Sequence, residues 1–167
     1  MRAGSAAWWL AKVRQTKRHI LARVSPRERD GVAAWLSPAQ LALFDGMHVA
    51  DRRHGLDVMA ALRAGGETDP EVLLAGLLHD AGKGDTGMIP RILHSLGQAR
   101  ITWPALALGW LPGMRAALVR LRDHAETSAK LAEAAGCSPR TVELIRWQDA
   151  PRDPEAGERL RLADEAN

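Results

Sequence analysis

Cysteine is almost absent from this chain. The single residue, Cys137, excludes an intramolecular disulfide and a zinc site built from cysteines. Also missing is any run of about 18 apolar residues, so no transmembrane helix is expected. The N-terminal apolar patch, 6–11, is short and soon interrupted by Lys12 and Arg14, which argues against a signal peptide. Together these absences suggest a cytoplasmic protein. No stretch combines two-residue alternation with β-branched and aromatic enrichment, so strands are not expected. Internal repeats, low-complexity tracts and dividing linkers are lacking too, and 167 residues suit one domain with one core. Lysine is scarce, four against 19 arginines. With so much alanine, that ratio reads as GC-rich codon usage and carries little functional weight.

What is present is mostly helix punctuation. Ser25-Pro26-Arg27-Glu28 is a capping box with proline at the first helical position, and Ser37-Pro38-Ala39-Gln40 repeats it. Asp69-Pro70 and Ser138-Pro139 are further starts, while Gly65-Gly66, Gly82 and Gly136 sit where helices should stop. The spacing predicts an all-α fold with helices near 5–23, 26–35, 38–64, 70–81, 88–97, 103–109, 113–135, 139–148 and 155–165. The long span 38–64 has breakpoints at Gly46 and Gly55. Glycine, proline and large apolar residues mix in 84–112, a segment suited to capping a pocket that Trp103 and Trp110 could line.

The net charge of +3 is uneven: residues 1–29 hold eight Lys/Arg and one acid, Glu28, leaving −4 on the remainder. Trp9, Val13, Ile20 and Val24 form an apolar stripe amid Lys12, Arg14, Lys17 and Arg18. Alone, such a basic amphipathic helix suits a membrane surface or nucleic acid. The favoured reading is an N-terminal helical extension, 1–36, docked by its stripe on a main domain, 37–167. Nucleic-acid binding is not expected from one charged helix.

The chemistry concentrates in Val72-Leu73-Leu74-Ala75-Gly76-Leu77-Leu78-His79-Asp80-Ala81-Gly82-Lys83. An apolar helix gains nothing by burying an imidazole and a carboxylate unless something pairs with them. His79 and Asp80 lie about 100° apart on a helix, yet a short Asp and a long His can converge. His54 upstream and Asp164 near the C-terminus are candidate partners, and two His with two Asp suit one divalent ion: Mn, Fe, Ni, Mg or Zn. The bland alternative is a buried pair bonded to each other or to backbone.

In the order His54, His79-Asp80, Asp164, with Asp51-Arg52-Arg53-His54-Gly55-Leu56-Asp57-Val58 and His79-Asp80-Ala81-Gly82-Lys83 around them, the chain resembles the HD-domain metal-dependent phosphohydrolase superfamily over roughly residues 40–165. Residues 1–40 resemble, less specifically, the extension of short bacterial members. The resemblance implies a compact helical bundle and hydrolysis of a phosphomonoester or phosphodiester bond in a small phosphorylated substrate, a nucleotide among the candidates. It implies His54, His79, Asp80 and Asp164 as metal ligands, with Asp80 also orienting the attacking water. Lys83 would act as a point charge on phosphate, and Arg53 would contact phosphate or form a salt bridge with a ligand carboxylate. His124 would be a phosphate contact or general acid. Members with more than one metal carry later histidines where this chain has Trp147-Gln148, so one ion is favoured. The alternative is a catalytically weak metal-containing module that binds a nucleotide or phosphate ligand in signalling. An oligomer is compatible with either.

Overall fold

The computed structural model describes residues 21–98, 108 and 110–167, and among these it is all-α. Among the described residues nine helices follow one another: α1 (Pro26–Ala33), α2 (Pro38–Gly46), α3 (Val49–Ala64), α4 (Pro70–Leu78), α5 (Met88–Gln98), α6 (Met114–Arg122), α7 (His124–Ala134), α8 (Pro139–Arg146) and α9 (Ala156–Ala166). A 3-10 turn, Ala81–Lys83, follows α4. No strand occurs among the described residues. No described helix is long and apolar enough to cross a membrane. The expected helices at 5–23 and 103–109 lie largely outside the described residues; of the first, 21–23 are described and are not helical, and of the second only residue 108 is described, as helix.

Each proline-led start is capped as its sequence demands. Ser25 and Ser37 accept from the backbone of Glu28 and Gln40, whose side chains reach back to close both capping boxes. Asp69 and Ser138 cap α4 and α8 in the same sense. Each such cap contributes about 1 kcal/mol.

Three expected boundaries move. The span 38–64 is two helices, because Met47 is extended (φ −71, ψ 151) and His48 starts α3 by accepting the Ala50 N–H on Nδ1. The span 70–81 is helical only to Leu78; Asp80 (φ −99, ψ 6) turns the chain into the 3-10 segment. The span 113–135 divides at Asp123 (φ −100, ψ 14), which places His124 at the start of α7.

Helix α4 is central because it is apolar all round: every residue from Val72 to Leu78 is buried. It packs chiefly on α3 and α8, with α9 and α2 also against it. Leu56, Val58 and Leu62 of α3, Val142 and Ile145 of α8, and Leu160 of α9 complete one core, which Val32 of α1 shares. The α3–α4 approach needs glycine, since a Cβ on Gly55 would lie 2.3 Å from the Leu77 carbonyl oxygen. One turn before Gly55 on α3, buried Asp51 takes a two-pronged ion pair from Arg91 of α5, at 2.5 and 2.7 Å. The Arg91 Nε also donates to the Thr86 carbonyl and hydroxyl oxygens, fixing the 84–87 loop beside the turn.

Candidate metal centre

The end of α4 delivers His79 and Asp80 into the interior, 1 % and 2 % exposed. Helix α3 brings His54 and α9 brings Asp164 to the same point. His54 Nε2 lies 2.7 Å from Asp164 Oδ1, and His79 Nε2 lies 3.4 Å from that oxygen. The two imidazoles meet edge-on with centroids 5.2 Å apart. His54, His79 and Asp164 can each present one ligand atom within 4.8 Å of the others. Asp80 borders them, its Oδ1 3.6 Å from His79 Nε2 and its Oδ2 3.9 Å from His54 Nε2.

The donor chemistry of His79 fits a metal. Its Nδ1 faces the Gly76 carbonyl oxygen at 3.0 Å, and a carbonyl only accepts, so Nδ1 carries a proton. Nε2 is left buried without a hydrogen-bond partner. A buried nitrogen facing two carboxylates either binds a cation or holds a second proton. Without a metal, burial opposes that proton, but the Asp80 and Asp164 carboxylates outweigh it and push His79 up to about 9. For Asp80, burial is likewise opposed by His79, Lys83 and His54, which hold its carboxyl well below the usual range. Asp164 is held low too: burial raises it, but the hydrogen bond from His54 and the charge of the neighbouring His79 imidazole outweigh that. The cluster thus balances two carboxylates against cationic charge that a divalent ion could replace.

Lys83 turns back to Asp80, its Nζ 2.5 Å from Oδ2. Partial burial lowers the ammonium and the neighbouring Asp80 raises it, for a net upward shift. This turn packs tightly on α7. A Cβ on Gly82 would lie 2.5 Å from the His124 carbonyl oxygen, and the Gly82 N–H donates to the buried Ser128 hydroxyl at 2.8 Å.

His124 is buried rather than facing solvent, with Nε2 3.6 Å from Asp80 Oδ1. Both its ring nitrogens are engaged: Nδ1 donates to the Leu121 carbonyl at 2.7 Å, and Nε2 meets the Gln148 amide nitrogen at 3.0 Å. Arg53 is committed elsewhere, to Glu28 of α1 and, at 2.9 Å, to Asp57. The hydrogen bond from Arg53, with those from Ser25, outweighs slight burial and holds the Glu28 carboxyl at about 2. Trp110 is 78 % exposed, while Trp103 lies outside the described residues.

The sequence marks Gln148 only as standing where later histidines are expected, and gives no sign of its contact with His124 or of the Ser128 contact with Gly82. Their positions depend on how α7 and α8 fold back, which no local pattern encodes. The glycines that permit the close approaches were visible beside His54 and Asp80, though not their contacts. Comparison with protein-family models, curated proteins and solved structures finds no match to this chain.

Proposed function

We propose that this protein is a metal-dependent phosphohydrolase of the HD-domain type, acting on a small phosphorylated molecule. The observation that carries this reading is the buried, unpartnered Nε2 of His79. It stands among His54, Asp80 and Asp164, residues up to 110 positions apart in the chain. An ion held there would supply Lewis acidity towards a phosphoryl oxygen and make water more acidic. His54, His79 and Asp164 are its holders, with Asp80 at their edge. Asp80 orients and accepts a proton from the attacking water through a carboxylate oxygen. Lys83, released from Asp80, places its ammonium on the phosphate. Arg53 serves structure, tying α1 to α3.

The test is phosphate or nucleoside release from nucleotides, cyclic dinucleotides and generic phosphodiesters, with Mn²⁺ or with chelator. Turnover that needs metal and vanishes in a folded Asp80→Ala variant is expected. Undiminished turnover in that variant would refute the assignment. One feature favours a second reading, a metal-containing module that binds a phosphorylated ligand: Lys83 and both nitrogens of His124 are already bonded within the protein. Saturable ligand binding without product would support it.

A further inference from the structure

Charge is uneven beyond the N-terminus as well. Residues 86–122 hold five arginines and no acid, whereas 30–85 carry nine acids against four basic residues and 123–167 ten against six. The stretch that contains α5 and α6 is therefore basic between two acidic ones. Exposed apolar surface gathers in the same place. Of seven large apolar side chains exposed among the described residues, four belong to it: Ile89, Ile92, Trp110 and Val119.

Helices α5 and α6 pack on each other. Ile89 and Ile92 share one side of α5 and are 55 % and 41 % exposed, although the adjacent Leu93 is buried. On α6, Met114 and Leu121 face inward, while Val119 stands 48 % exposed on the outer side with Arg115 and Arg120. Arg91 is held by Asp51 and Arg122 by Asp123, but no ion pair engages Arg115 or Arg120 among the described residues. Arg120 lies against Gly84, where a Cβ would be 3.4 Å from its Cδ, at the loop that leads into α5.

Half-exposed aliphatic side chains and a tryptophan, beside unpaired guanidinium groups, suit the boundary of an anionic bilayer. There the apolar groups enter the acyl region, tryptophan sits at headgroup depth and arginine meets lipid phosphate. Nucleic acid would engage the arginines and leave the apolar groups in water. A second copy in a symmetric pair would set like charge against like. We infer that the outer face of α5 and α6, with Trp110, docks this protein on an anionic lipid surface. Helix α6 also packs on the 81–83 turn, so docking sets the candidate metal centre near the membrane boundary. The inference does not depend on the chemistry of that centre.

The experiment measures co-sedimentation of the full chain with vesicles of equal parts phosphatidylglycerol and phosphatidylcholine, or of phosphatidylcholine alone. Two double variants, Arg115→Glu with Arg120→Glu and Ile89→Ser with Val119→Ser, change exposed positions only, and circular dichroism checks their helicity. Arg63→Glu with Lys130→Glu repeats the charge change at exposed positions of other helices. The wild type should bind the anionic vesicles alone. Each test variant should lose at least about tenfold in partition, while the control stays within about threefold of the wild type. Absence of wild-type binding, equal binding to neutral vesicles, or unchanged binding in either test variant would overturn the inference. So would an equal loss in the control, or binding of duplex DNA in place of vesicles.

Discussion

Loading the centre with a divalent ion is expected to expel a proton from His79. In the metal-free protein burial disfavours the imidazolium, but Asp80 and Asp164 prevail and His79 titrates at about 9 against an ordinary 6.5. At about pH 7.5 roughly 97 % of these rings would then be charged. The Nδ1 proton is fixed on the Gly76 carbonyl, so the proton lost must be the one on Nε2, the atom that binds metal. Calorimetric titration with Zn²⁺ in two buffers of different ionisation enthalpy should report close to one proton released per ion. Affinity should rise about tenfold per pH unit until His79 deprotonates by itself. The same shift governs stability without metal. Because the folded value is raised, the stabilisation is complete below about 6.5 and lost as pH climbs through about 9. Its size is on the order of 3 kcal/mol. Urea unfolding in chelator should therefore show stability falling across that window, with excess Zn²⁺ reversing the trend. Binding with no buffer-dependent heat between about pH 7 and 8 would refute the account of His79.

Other perturbations test the scaffold. Gly55→Ala drives a Cβ to 2.3 Å from the Leu77 carbonyl and wedges α3 off α4. Thermal melts should show a loss of about 1–3 kcal/mol, and equilibrium dialysis weaker metal binding. The control is Gly31→Ala in α1, which meets nothing within 4 Å; it should stabilise by roughly 0.5–1 kcal/mol. Arg91→Ala strands the buried Asp51 carboxylate and should cost about 3–5 kcal/mol in urea unfolding, much of it recovered by the Asp51→Leu, Arg91→Leu double replacement.

The sequence was most legible where physics is local. Proline-led caps at Ser25, Ser37, Asp69 and Ser138 mark the helix starts observed. Helix ends were harder, because they depend on what packs next. Asp80 leaves helical geometry before the turn that Gly82 seats against α7. Asp123 interrupts an unbroken helical pattern at the point where His124 must enter the interior. Arg53 shows the same limit: its neighbour His54 drew attention to it as a phosphate contact, but Glu28 and Asp57 already hold it.

By itself the sequence determined an all-helical chain, a wholly apolar central helix, and a His-Asp pair at that helix's end. These follow from side-chain period, capping chemistry and the cost of burying polar groups, all readable over a few residues. The tertiary structure alone decided that Asp164 reaches His54, that His124 is closed by Gln148, and that Arg91 neutralises Asp51. Each joins residues 24 to 110 positions apart. Their meeting is set by how whole helices pack around α4, a choice made by the summed burial of the core rather than by any local signal.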